Sequence, residues 1–315
     1  MPENIIKDRS ILNLFTREQV IANFLMLVVI LLWGVSFISI KIAVTEIPPI
    51  TMALIRFAIA SLLLVIILRR VEPGTKVEKK DILLLSLGGM LGITLYFFFE
   101  NIGVKLSTAT NASLIVTTIP IIAIILELLF FPSNLSMLKV VGVGIAIVGT
   151  YLSVTANGEM EFNSKNFIGN LFMLGAMLSW ALYTLVNKNL QVKYSGLFLT
   201  TYQTVIGTVC LAPLSMVEYA QWQPFSLTAF VHVLFLAICC SVICYLLYMY
   251  VLKHLDVVIT TLYLNLVPVV GVVSGYLVLN ESVLPIQIFG GLLTLLAILI
   301  VNWDQIIQGK KYKVI

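Results

Sequence analysis

With 315 residues, 60% of them hydrophobic and only 11% charged, and a mean hydropathy of +1.06, the chain is too apolar for a soluble domain, in which about a quarter of residues carry charge. The formal net charge of +4 comes from loop lysines and arginines rather than a basic face, which argues against a nucleic-acid partner. Cys210, Cys239, Cys240 and Cys244 lie in apolar runs, where a thiol behaves as a small hydrophobe, and neither histidine stands at ligand spacing from them, so no disulfide framework, metal or cofactor is expected.

Residues 1–19 form a polar segment whose Glu3, Asp8 and Glu18 do not suit a cleavable signal peptide. Crossing about 30 Å of hydrocarbon takes roughly 20 residues. Runs of that length are predicted at 20–40, 49–68, 82–101, 108–130, 137–154, 167–187, 196–217, 229–250, 257–279 and 285–303. Continuous runs satisfy their own backbone hydrogen bonds as helices, not as alternating barrel strands. The expected fold is therefore all-α and integral to the membrane, with ten transmembrane helices. Trp33 and Lys41 recur as Trp180 and Lys188 at an offset of 147, and Lys105, Pro120 and Gly142 recur as Lys253, Pro268 and Gly290 at 148. The chain thus divides into five-helix repeats at 20–154 and 167–303, an extracytoplasmic polar linker at 155–166 and a basic tail at 304–315.

A cytoplasmic N-terminus puts fifteen loop Lys and Arg residues on one side and only Lys41, Lys105 and Lys165 on the other. The positive-inside rule then predicts a multi-pass cell-membrane protein with both termini cytoplasmic. Five helices per repeat reverse the second repeat, giving an inverted-topology duplication about an axis in the membrane plane. The basic loop Arg69–Lys80 is placed to touch anionic lipid head groups, making membrane lipids a partner.

The run Leu32-Trp33-Gly34-Val35-Ser36-Phe37 through Lys41, then Pro48-Pro49 and Arg56-Phe57, resembles the opening of the drug/metabolite transporter superfamily, specifically EamA-type members with ten helices and two EamA repeats. Ser179-Trp180-Ala181-Leu182-Tyr183 and Asn280-Glu281-Ser282 with Gly290-Gly291 carry the same resemblance over about residues 20–303. One departure is that Glu281 matches Ser133, next to Pro132, in the first repeat. The resemblance implies secondary transport of a small metabolite, often export of an amino acid or related compound.

The residues themselves point to the middle of the molecule. Ser113, Thr117 and Pro120 share one face of helix four, which Glu127 continues, and Thr261, Asn265 and Pro268 match them on helix nine. Each proline is expected to kink its helix and free a carbonyl, beside hydroxyls that either line a cavity or bond their own helix. Arg56 falls seven residues into helix two, where a charge costs about 2.5 to 3.5 kcal/mol on insertion scales. Its fork suits a substrate carboxylate, but it could also satisfy helix-end carbonyls or snorkel outward. Tyr96 and Glu100 on helix three face the region matched by Tyr245 and Tyr248 on helix eight, and protons are a candidate coupling ion through Glu100 or Glu127. Glu218 and Glu281 are expected to be structural or solvated residues at the outer interface.

Trp33, Ser36, Phe37 and Ile40 correspond to Trp180, Tyr183, Thr184 and Asn187, stripes that either pack or line the cavity. Gly88 with Gly92, Gly142 with Ala146 and Gly271 with Gly275 are expected to be packing devices. A secondary carrier working by alternating access is preferred. An intramembrane enzyme, a passive channel or a lipid flippase are the alternatives, although His232 and His254 lie at opposite ends of helix eight and assemble no acid/base cluster.

Overall fold

The computed structural model describes residues 17–119, 121–122, 125–126, 137–155, 164–190, 193–254, 263–264 and 266–312; Pro120, Glu127, Pro132, Ser133, Thr261 and Asn265 lie outside the described residues. The helices are α1 (Arg17–Ala43), α2 (Pro49–Val71), α3 (82–106), α4 (Ala109–Ile115, then a 3-10 turn at Val116–Thr118) and α5 (Met137–Thr155), followed by α6 (Lys165–Leu190), α7 (Gly196–Ser215), α8 (227–254), α9 (Val267–Leu279) and α10 (Pro285–Tyr312). They take up the ten predicted spans in order. Several run past the predicted ends, α10 to Tyr312 and α6 to Leu190, because a helix continues through polar interface residues that an apolar run omits.

Local chemistry sets the starts. Thr108, Ser195 and Ser226 are N-caps whose hydroxyls accept from the amides of Asn111, Phe198 and Ala229, opening α4, α7 and α8. Among the described residues α9 begins after Leu266, and Pro268 sits in its first helical turn, where its missing N–H costs nothing.

Large apolar side chains are exposed around an apolar core that also buries polar groups. Phe24 on α1 is 65% exposed and Leu83 on α3 78%, while Arg56, Glu100, Asn101 and Asn170 are buried. Apolar side chains face outward because lipid surrounds them. Among the described residues six helices are long and apolar enough to cross a membrane, with shorter apolar helices at Val267–Leu279 and Pro285–Ala297.

The contacts of α2 with α7 establish the inversion. At the end of α2, Glu72 accepts from Ser195, the N-cap of α7, at 2.7 Å. Just past α7, the Glu218 carboxylate accepts from the amides of Ile50 (3.1 Å) and Thr51 (2.7 Å) at the start of α2. Midway, Ser61 and Thr208 hydrogen-bond at 2.9 Å. The helices therefore run antiparallel. Ser61 and Thr208 are repeat equivalents at the 147 offset, and equivalents that touch lie beside the twofold axis. The remaining packing obeys the same exchange: α1 packs on α8 and α9 as α6 packs on α3 and α4, while α5 meets α10 and α4 meets α9. Such an arrangement is an inverted five-helix duplication.

Charge fastens the helix ends. Lys41 at the end of α1 donates to the carbonyls of Val104 (2.8 Å), Lys105 (3.2 Å) and Ser107 around the C-terminus of α3. The α4 amides of Ala109 and Thr110 donate to Glu281 at 2.9 Å each. Asn280, left-handed at φ 52°, turns the chain out of α9 so that Glu281 reaches them. Glu218 is buried and Glu281 half-buried. Both are helix-capping groups, since free N-terminal amides are the natural partners of a carboxylate.

Candidate functional site

Equivalent defects interrupt α3 and α8. Met90–Leu95 and Leu236–Ile243 are π-helical turns, and at the 148 offset the first maps onto 238–243, inside the second. A π turn carries one extra residue, so its carbonyls are imperfectly paired within the helix. Two of them accept from the tryptophan motifs: Cys240 O from Trp33 Nε1 at 3.1 Å and Leu91 O from the Ser179 hydroxyl at 2.9 Å. These bonds hold both tryptophan helices against the wound-out turns of the opposite repeat.

There the aromatic residues converge. Trp33 lies 5.9 Å from Tyr245 and 5.5 Å from Tyr248, ring to ring, while Trp180 lies 5.0 Å from Tyr96, 5.1 Å from Tyr183 and 6.5 Å from Tyr245. The repeat-related tryptophans thus meet through Tyr245. Gly92 makes this packing feasible, since a Cβ there would fall 2.5 Å from the Tyr183 ring. Gly88 likewise seats the Gln203 side chain.

Both buried charges border this cluster. Arg56 is 3% exposed; its Nε donates to the Ser241 hydroxyl at 2.8 Å, and its guanidinium stands 4.5 Å from the Phe97 ring centre and 5.0 Å from that of Phe57. The side chain therefore does not snorkel. Tyr96 donates to Glu100 Oε1 at 2.9 Å, fixing a carboxylate that is 4% exposed. Arg56 Nη1 and Glu100 Oε2 have no hydrogen-bond partner. Among the described residues the ion pairs within 4.0 Å join Lys193 to Glu78 and Asp81, and Lys80 to Glu78; Arg56 and Glu100 do not form one. One bond to a neutral hydroxyl and cation–π contacts of about 2 kcal/mol offset only part of a desolvation cost of several kcal/mol. The protein itself therefore leaves both Nη1 and Oε2 unsatisfied.

The structure gathers Trp33, Arg56, Tyr96, Glu100, Trp180, Tyr183, Tyr245 and Tyr248 into this region. Ser36 donates to Trp33 O, Ser113 to Thr110 O and Thr117 to Leu114 O, all within their own helices. Ser113 lies at the α4–α9 crossing, where a Cβ on Gly271 would come within 2.4 Å of it. Sequence reasoning missed Ser241 and Phe97, the residues that hold Arg56. Their signal was faint, a lone serine in an apolar run and one phenylalanine among three.

An inverted helical duplication around a packed cluster of aromatic residues and two buried ionisable side chains is the architecture of a membrane transport protein. The chain belongs to the EamA-like transporter family, whose model matches residues 20–155 and 167–303. An uncharacterized transporter of Archaeoglobus fulgidus is 30% identical over 285 residues, covering 90% of this chain and 98% of its own. A probable terminal-alkyne amino-acid exporter of Streptantibioticus cattleyicolor is 25% identical, covering 89% and 93%. One solved crystal structure superposes with a TM-score of 0.62 at 17% identity, covering 90% of this chain and 96% of that one, a likeness of fold alone.

Proposed function

We propose that the protein is a secondary carrier that moves a small carboxylate-bearing metabolite, an amino acid or related compound, out across the cytoplasmic membrane by alternating access around the aromatic chamber. The observation that carries this reading is the unpartnered Nη1 of Arg56, 3% exposed, at a chamber built from both repeats. A guanidinium held by Nε alone keeps its outer edge for a carboxylate, which it binds as a planar fork. The inverted repeat supports the rocking motion, because two similar bundles can exchange conformations about a shared site. Export follows the amino-acid exporter among its relatives. In this reading the Lys193 end faces the cytoplasm, where the basic loops collect.

A thermal-shift screen of the purified protein tests the proposal with amino acids, monocarboxylates, dicarboxylates, amines and nucleosides, since a ligand bound to the folded state raises Tm by mass action. Stabilisation by carboxylate-bearing compounds is expected. Stabilisation confined to amines or nucleosides contradicts it.

A further inference from the structure

We infer that Glu100 is a specificity-determining residue that reads the cationic end of the substrate, so that the chamber selects zwitterions over simple carboxylates and simple amines. The inference rests on the chamber being the substrate site and adds a requirement on the ligand that Arg56 alone does not impose.

Arg56 and Glu100 are opposite charges, 3% and 4% exposed, fastened to one short stretch of α3: Glu100 through the Tyr96 hydroxyl at 2.9 Å, Arg56 by its guanidinium 4.5 Å from the Phe97 ring centre. In a low-dielectric interior two such groups left to themselves close into a pair. Here each is tethered by a different neighbour, Ser241 for Arg56 and Tyr96 for Glu100, and each keeps one orphaned atom, Nη1 and Oε2. Two orphaned charges of opposite sign beside one chamber match a ligand carrying both signs.

The duplication supplies an independent argument. The equivalents of Arg56 and Glu100 in the second repeat are Gln203 and Tyr248, both uncharged. Gln203 is neutral: its Nε2 donates to Asn187 Oδ1 at 2.7 Å, while its own Oε1 is also without a partner. One half of the molecule therefore builds this region without charge. The fold is thus built once with the charged pair and once without it, which leaves the pair free to serve a ligand.

The test measures binding to the full-length protein in nanodiscs, by calorimetry, for leucine, phenylalanine and threonine, each alongside its deaminated acid and its decarboxylated amine. The wild type is expected to bind at least one amino acid more than tenfold tighter than both of its analogues. Glu100→Gln should erase the preference over the acid while retaining acid binding, and Arg56→Gln should erase the preference over the amine. Tyr96→Phe, which frees Oε1 and leaves the carboxylate in place, covers the case in which Glu100→Gln does not fold; it should shrink the preference over the acid several-fold. Equal wild-type affinity for an amino acid and its deaminated acid overturns the inference and leaves the carboxylate carrier standing. Binding of neither amino acids nor acids overturns both.

Discussion

Arg56 concentrates the argument at the scale of single residues. Its charge is buried against two phenylalanines and one serine, partners too weak to offset several kcal/mol of desolvation. Losing a buried charge-assisted partner is worth about 2 to 5 kcal/mol, more than tenfold in affinity. Arg56→Gln, which copies Gln203, is therefore expected to give a monodisperse protein whose best ligand binds at least tenfold more weakly, with Arg56→Lys falling between because the ammonium lacks the planar fork. Undiminished calorimetric affinity in both variants would make the arginine structural. Gly92→Ala adds a Cβ 2.5 Å from the Tyr183 ring. Expression should persist while ligand affinity falls several-fold, and an unchanged affinity would remove Tyr183 from the chamber. Arg56 and the two tryptophans were legible in the sequence because a charge inside an apolar run and a motif repeated at a fixed offset are both improbable without a cause. Ser113 and Thr117 were less so. Helical spacing gives the face of a hydroxyl but not whether it bonds its own carbonyl three residues back, as both do here.

At the scale of elements, the ends of α2 and α7 show how the repeats are joined. Glu218 receives two α2 amides and the Thr51 hydroxyl (2.8 Å), and Trp222 donates to that hydroxyl at 2.9 Å. Glu218→Ala strands these buried donors at a cost of about 1 to 3 kcal/mol. A clear drop in Tm is the expected result, and an unchanged Tm would deny the cap its role. At the other end of the pair, Lys193 bonds Glu78 at 2.5 Å and also Asp81, while Tyr194 donates to Asp81 at 2.7 Å. Lys193 and Lys80 hold the Glu78 carboxyl below its ordinary 4.5; desolvation works against the Lys193 charge, but the hydrogen bonds it donates to Asp81 and Glu78 raise it above its ordinary 10.5. The depressed acid contributes stability that is present above pH 4.5 and lost as pH falls through its lowered value. The raised base contributes stability that is present below pH 10.5 and lost as pH rises past it. Hydrogen exchange at residues 193–195, corrected for intrinsic rate, should stay slow between those limits and accelerate below the acid one; acceleration already at pH 6 would contradict the latch. The helices were legible because length and hydropathy are set by the bilayer. The π turns in α3 and α8 were not, since one inserted residue leaves the apolar pattern intact.

On the scale of the whole molecule, the antiparallel α2–α7 pair and the touching equivalents Ser61 and Thr208 make the repeats inverted, as five helices per repeat required. The charge bias of the loops predicts the sidedness. Single cysteines at Lys76 and Lys165, probed in intact cells with an impermeant maleimide, should be protected at 76 and labelled at 165; labelling at 76 reverses the orientation. In the proposed carrier the aromatic cluster is shared by both repeats and presented to one side at a time. Counterflow in proteoliposomes tests it most directly: labelled amino acid outside, the same unlabelled amino acid inside, wild type against Arg56→Gln. A carrier working by alternating access gives saturable uptake that trans substrate accelerates and that Arg56→Gln weakens at least tenfold. Uptake linear in concentration, indifferent to trans substrate and equal in the two proteins would contradict the account.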